Sequence, residues 1–367
     1  MDLNEARGQI RNVDLQMREL FLQRMEAVRA VADWKKERGI PIEDKEQEKR
    51  IISELSPAVE DEALRSFYLC FIQDVMNVSK QWQHHLLSGL RVAYSGVEGA
   101  FAHIAAMRIF PDGKKIPCPS FEDAYGAVER GECDIAVLPI ENSYAGEVGQ
   151  VLDLMFAGSL HVNGVYDLPV IQNLLGLPGA QADQIETVVS HPQALSQCQP
   201  YIKEHHYLTR SVSNTAMAAK EVAQGNDLSV AAIASAETAQ LYGLQVLDHD
   251  INENRMNTTR FAVFSRVEYP FANRRDKSAF LLLFTVKDEV GGLAKAINLI
   301  SAYNYNMRVL RSRPMHDLPW HYYFYAEVEG NDGSENGQRM LSALGGVCPM
   351  VKVVGRYIAA ENTLAQA

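Results

Sequence analysis

A chain of 367 residues, 47% hydrophobic and 22% charged, exceeds one ordinary core and points to two or three globular domains. Its net charge of -11 argues against general affinity for nucleic acid or anionic membranes, so an anionic substrate must find a locally basic pocket. Five scattered cysteines without Cys-x-x-Cys spacing exclude a disulfide framework and a structural zinc site. No stretch is apolar enough to span a bilayer, and the N-terminus lacks a secretory pattern, so a cytoplasmic, membrane-free protein is expected.

From residue 3 to about 38, Ile10, Val13, Met17, Phe21, Met25, Val28 and Val31 recur at threes and fours, the period of a long amphipathic helix that Gly39-Ile40-Pro41 stops. A second helix is predicted over roughly 44–55. A third opens at Ser56-Pro57 and runs to Ser88-Gly89, with Leu64, Phe67, Phe71, Val75, Val78, Trp82 and Leu86 at helical spacing. The first helix is too long to hide its stripe behind the other two, and a helical homodimer is the remedy.

Beyond Arg91 the rhythm changes. Short apolar runs at 92–94, 135–138, 187–189, 230–234 and 261–264 alternate with helical stretches at 121–130 and 215–224, which predicts an α/β domain in two lobes. Polar residues cluster at the ends of these runs: Glu141-Asn142-Ser143, Ser190-His191-Pro192-Gln193, and Asn257-Thr258-Thr259-Arg260 just before Phe261. Open α/β sheets bind ligands off such strand ends, where helix N-termini aim backbone N-H groups at anions. Ser95-Gly96-Val97-Glu98-Gly99 lacks the spacing of a dinucleotide or phosphate loop. Ser213-Asn214-Thr215 reads as a helix N-cap, and His191, His205 and His206 read as structural or solvent-facing, so neither metal nor cofactor is expected. A polar connector at 267–276 leads to a β-α-β-β-α-β pattern with strands at 278–286, 307–313, 322–329 and 351–357 and helices at 293–303 and 334–344, the split ferredoxin-like order.

Three resemblances follow from these residues. Segment 1–89 resembles the all-helical chorismate mutases through Arg7, Arg24, Lys35, Asp44, Glu48, Ser79 and Gln83; Gln47 stands where that family usually has Arg. The resemblance implies that Arg7 reaches into a partner's site, that Arg24 with Arg7 holds the carboxylates, that Lys35 and Gln83 address the ether oxygen, and that Asp44 and Glu48 address the ring hydroxyl. Segment 90–266 resembles prephenate dehydratase through Tyr94-Ser95-Gly96, Pro139-Ile140-Glu141-Asn142-Ser143, Ser190-His191-Pro192-Gln193, Gln197-Cys198 and Asn257-Thr258-Thr259-Arg260-Phe261. Ala100 stands in place of the usual Ser. This implies Thr259 as the catalytic residue, with Glu141, Asn142, Ser143, Ser190, Gln197, Thr258 and Arg260 around the substrate.

Segment 277–358 resembles an ACT domain through Gly291-Gly292-Leu293 and Ser312-Arg313-Pro314 with Asn306 between them, which implies an effector site for phenylalanine. Val290 and Arg311 depart from that pattern, standing for Pro and Glu. Together the resemblances imply a bifunctional enzyme that takes chorismate through prephenate to phenylpyruvate under phenylalanine feedback, as a homodimer through the helical domain or as a tetramer. Two rivals are an arogenate-preferring dehydratase and a non-catalytic small-acid sensor, and the hydroxyl of Thr259 separates a catalyst from a sensor.

Overall fold

The computed structural model describes residues 1–254, 256–269, 278–315 and 317–358. It divides into two compact units, one of residues 1–91 with 112–114 and one holding the rest. Most of the predicted connector, residues 270–276, lies outside the described residues. Among the described residues no helix is long and apolar enough to cross a membrane.

The first unit is three helices, α1 (Leu3–Arg38), α2 (Lys45–Leu55) and α3 (Glu62–Ser88). Asp2 and Glu5 form a reciprocal capping box on α1, and Gly39, at φ 63°, closes it in the left-handed region that glycine tolerates. Asp44 caps α2 through the Gln47 N-H. The third helix starts later than predicted. Ser56-Pro57 begins only a 3-10 turn, Val59 is extended, and Asp61 restarts the chain by accepting from the Ala63 and Leu64 N-H groups. Val28 and Ala32 of α1 and Met76 of α3 are buried, while Ile10, Leu20, Phe21, Leu64 and Phe67 stay exposed.

The second unit opens with a first lobe: β1 (Arg91–Ser95), α4 (Phe101–Ile109), β2 (Lys114–Cys118), α5 (Phe121–Glu129), β3 (Ile135–Asn142), β4 (Gly146–Glu147), α6 (Gly149–Ala157) and β5 (His161–Pro169). The chain then crosses to a second lobe, whose first half is β6 (Asn173–Gly176), β7 (Thr187–Ser190), α7 (Pro192–Gln197), α8 (Gln199–Glu204) and β8 (Leu208–Ser211). Its second half is α9 (Thr215–Gly225), β9 (Val230–Ala234), α10 (Ala236–Tyr242) and β10 (Gln245–Asp248). It returns to the first lobe as β11 (Thr258–Ser265). Strand order is β5-β11-β3-β1-β2 in the first lobe and β10-β6-β9-β7-β8 in the second. In the second lobe Leu174, Val188 and Ile233 pack on one side of the sheet and Leu175, Val189 and Ala232 on the other. Burial on both faces explains why these strands read as continuous apolar runs without alternation.

The C-terminal module is β12 (Ser278–Thr285), α11 (Gly292–Ala302), β13 (Asn306–Pro314), β14 (Tyr322–Glu329), α12 (Glu335–Val347) and β15 (Val351–Ile358), the predicted split order with an antiparallel sheet β13-β14-β12-β15. Its edge strand continues the first lobe. Gly355 of β15 pairs with Val162 of β5, joining both into one 10-stranded sheet, so segments 90–266 and 277–358 share a core. A Cβ at Gly355 would lie 2.1 Å from the Val162 carbonyl oxygen, an approach only glycine permits.

Candidate active sites and the family they define

Asn257 to Arg260 was expected just ahead of a buried strand; instead β11 begins at Thr258, so Thr258, Thr259 and Arg260 are strand residues. In the antiparallel ladder Thr259 faces Asn142 and Arg260 faces Glu141. Successive side chains on a strand leave by opposite faces, and the two pairs separate accordingly. Thr259 and Asn142 line a cleft of about 480 Å3, to which Ser95, Gly96, Phe101, Phe121, Glu147, Gln172, His191, Gln197, Asn214 and Phe261 also contribute.

At the base of this cleft a hydrogen-bond network fixes the Thr259 hydroxyl. The Asn142 side-chain oxygen accepts from the Tyr144 and Ala145 N-H groups at 3.0 and 2.8 Å, which commits its Nδ2 to the other side. That Nδ2 donates to Asn257 Oδ1 and to Thr259 Oγ1, both at 2.9 Å. Thr259 Oγ1 is thus an acceptor toward Asn142 and keeps its own proton to donate into the cleft. Asn257, 2% exposed, completes the lock from below.

Glu141 and Arg260, expected at the substrate, turn to the opposite face because they are one residue out of phase with Asn142 and Thr259. Arg260 donates to Glu327 Oε2 at 2.6 Å and to the Tyr357 hydroxyl at 3.0 Å, with Asp167 and Glu141 further off. Burial disfavours its charged form, but the hydrogen bond to Glu327 and the fields of Tyr357 and Glu327 outweigh it, so its pKa is raised. Ser190 is fully buried and donates to the Ile233 carbonyl at 2.6 Å, supporting the cleft from beneath. Ser143 accepts from the Thr258 N-H, and the Thr258 hydroxyl donates to the Met256 carbonyl; both tie the loop beside the cleft. Asn142, Gln197 and Thr259 are the expected residues that reach the lining.

Among the described residues the lining contains no lysine or arginine, so none of them supplies the basic pocket that was expected. Helix N-termini take its place. Ala100 gives α4 no side-chain cap, so the first amides of that helix are left for whatever fills the cleft, and α9 starts at the lining residues Asn214 and Thr215. Asn214 does cap α9 through the Met217 N-H, and His191, read as structural, caps α7 through the Gln193 N-H while also lining the cleft. The Asn214 cap was legible in sequence; the His191 cap, and that the two lobes aim both at one cavity, were not.

In the helical unit Arg24 Nη1 donates to Ser79 Oγ, which donates in turn to the Val75 carbonyl at 2.7 Å. Burial lowers the pKa of Arg24, and a desolvated guanidinium whose partner is a neutral hydroxyl is well placed to receive an anion. Gln83 lies one turn on, 7% exposed, with a side-chain oxygen that has no partner, so its amide can meet a ligand. Lys35 donates to the Ile42 carbonyl at 2.5 Å, drawing its ammonium to the α1–α2 connection. Asp44 is spent on capping α2, and Glu48 pairs at 3.1 Å with Lys80, a residue the sequence reading omitted although it adjoins Ser79. Arg7 is exposed near the start of α1.

In the C-terminal module Gly291, Gly292 and Leu293 line a second cavity of about 280 Å3, together with Trp320, Tyr322 and Phe324. Gly291 takes φ 79° at the N-cap of α11. Three expected effector residues lie outside that lining. Asn306 donates to Glu329 at 2.8 Å, Arg313 forms a two-point ion pair with Asp153 of α6, and Ser312 sits on the intervening strand β13.

A two-lobed α/β enzyme built around a hydroxyl-bearing cleft, with a separate helical unit and a ferredoxin-like module, is the class these features define. Residues 92–269 match the family model "Prephenate dehydratase" and residues 6–84 match "Chorismate mutase type II". The bifunctional chorismate mutase/prephenate dehydratase of Enterobacter agglomerans is 32% identical over 96% of this chain and 94% of its own. The chloroplastic arogenate dehydratase/prephenate dehydratase 2 of Arabidopsis thaliana is 35% identical over 74% of this chain and 73% of its own. A crystal structure of a prephenate dehydratase from Arthrobacter aurescens in complex with L-Phe superposes with a TM-score of 0.69 at 27% identity, covering 76% of this chain and 92% of that one. The chain belongs to the family of bifunctional chorismate mutase/prephenate dehydratases, an isomerase and a lyase on one polypeptide.

Proposed function

We propose that Arg24, Ser79 and Gln83, with Lys35, Asp44, Glu48 and Arg7 of a second copy of the chain, form the mutase site, and that the interlobe cleft with Thr259 is the dehydratase site. The mutase step forms a C-C bond as an ether C-O bond breaks, with no covalent help from protein. Holding the dianion folded and supporting charge on the ether oxygen is all the site must do. The exposed apolar faces of α1 and α3 suit a second copy of the chain, which would bring Arg7 to its neighbour's site.

In the second step the bond from ring to carboxylate breaks, its electrons enter the ring, CO2 leaves and the ring hydroxyl departs, taking up one proton to become water. Aromatisation drives the loss. The observation that carries this reading is the Asn142 lock, which makes the Thr259 hydroxyl, a cleft-lining group, an acceptor toward Asn142 and so leaves its own proton available to a ligand. Thr259 then donates a hydrogen bond to the departing hydroxyl, and helix N-termini receive the carboxylates that Arg260 does not reach. Glu141 does not tune Thr259, since it lies on the other face. A second substrate bearing an ammonium group, as arogenate does, would have to draw Glu147, the one carboxylate among the described lining residues, away from Arg311 at 3.6 Å. The fused mutase supplies prephenate, so prephenate is expected to be the preferred substrate in a parallel assay.

The C-terminal module reads as an ACT domain that senses phenylalanine at the Gly291-Gly292 turn, where the Gly292 N-H is held by the Glu289 carbonyl and the N-terminus of α11, which has no side-chain cap, suits a carboxylate. Chorismate fed to the purified chain is expected to give prephenate first and phenylpyruvate after a lag. Phenylalanine should slow the second phase and raise the melting temperature. Prephenate that accumulates without phenylpyruvate would contradict the assignment of the cleft.

A further inference from the structure

Behind the catalytic strand pair lies a set of charges that the chemistry does not use. Arg311 of β13 donates to Glu141 Oε1 at 2.9 Å and lies 3.6 Å from Glu147, which itself lines the cleft. One strand over, Glu327 of β14, 1% exposed, accepts from Arg260. Glu141 precedes Asn142 and Arg260 follows Thr259, so the C-terminal module grips both strands one residue from the groups that point into the cleft. β14 also carries Tyr322 and Phe324, which line the cavity at the Gly291-Gly292 turn. One strand therefore runs from that cavity to the anchor of Arg260.

We propose that Arg311 is a positioning residue for the dehydratase, acting through Glu141 on the Asn142–Thr259 pair, and that this grip carries the effector state of the module to the cleft. Shifting β13 relative to β3 pulls on Glu141, and a strand residue cannot move without its neighbour. Asn142 must keep two acceptors on Nδ2, Asn257 and Thr259, and two donors on Oδ1 to hold the Thr259 hydroxyl, so a displacement of a few tenths of an ångström is enough to loosen the lock. Arg311 is partly exposed and its ion pair is worth little as stability, which makes its removal a test of geometry and not of folding. The effector half rests on the phenylalanine reading of the module; the positioning half does not.

The test uses the full chain and added prephenate. Arg311→Gln is expected to lower dehydratase kcat by about three- to tenfold with KM within about twofold, and to raise the half-inhibitory phenylalanine concentration by about threefold or more. Arg311→Lys should recover most of the lost kcat. Lys352→Gln weakens a different contact between module and lobe, the bonds from Lys352 to the carbonyls ending α6, and should lower the melting temperature while sparing kcat. Wild-type kcat in Arg311→Gln, a change in KM alone, a Lys variant as poor as Gln, or an equal fall in Lys352→Gln would each overturn the positioning role. Because kcat is read without phenylalanine, a chain that ignores phenylalanine refutes the effector reading and leaves the positioning result standing. A fall in kcat with an unaltered phenylalanine response in a responsive chain overturns the coupling.

Discussion

Replacing Thr259 by Ala is expected to lower dehydratase kcat by about 10^2- to 10^3-fold, the usual loss when one oriented donor to developing charge is removed. KM for prephenate should change little, because the carboxylates are held elsewhere and the lost bond strengthens only as the hydroxyl departs. Thr259→Ser keeps the hydroxyl and should retain more activity than Thr259→Ala, though below wild type, since a serine lacks the branched side chain that restricts the Thr259 rotamer. The mutase rate should be untouched, as Thr259 and Arg24 lie in different compact units. Steady-state assays with prephenate and, separately, chorismate read both effects. A Thr259→Ala variant with near wild-type dehydration would remove Thr259 from the chemistry.

Arg24→Ala is the converse. Removing a desolvated guanidinium from a dianion site costs about 2–5 kcal/mol, so mutase kcat/KM should drop by about 30- to several-thousandfold. Dehydration of added prephenate should stay at the wild-type rate. The helical unit should still fold, because Ser79 keeps its bond to the Val75 carbonyl and the buried Val28, Ala32 and Met76 are unaltered. Unchanged chorismate consumption would show that the mutase site lies elsewhere.

Much of this was legible in the sequence, and the omissions have physical causes. The apolar runs of β3, β7 and β9 gave their elements directly because those strands are buried, and the 3.6-residue stripe of α1 gave its helix although only Val28 and Ala32 of that helix are buried. β5 was missed: Asn163, Gly164, Asp167 and Pro169 interrupt any apolar run, and the strand is held by its pairing with β11 along its length. Thr259 and Asn142 were identified by family motif, but the same motif drew in Arg260 and Glu141. Strand alternation alone forbids adjacent residues from sharing a face, so that signal was available once Thr258 to Arg260 are placed inside the strand. The grip of Arg311 on Glu141 was not available, since it requires knowing that β15 extends the first-lobe sheet at Gly355. Helix amides in place of a basic pocket were hidden for a similar reason: which N-termini converge is a property of how two lobes close on each other, not of any one segment.

The central claim is that two chemistries occupy two independent sites on one chain, and a mixing experiment addresses it most directly. Thr259→Ala and Arg24→Ala chains are combined in equal amounts and given chorismate. Prephenate released by the first should be consumed by the second, so phenylpyruvate should form after a lag that shortens as protein concentration rises, while either variant alone makes almost none. Phenylpyruvate from Thr259→Ala alone, or none from a mixture in which each variant still performs its own step, would contradict it.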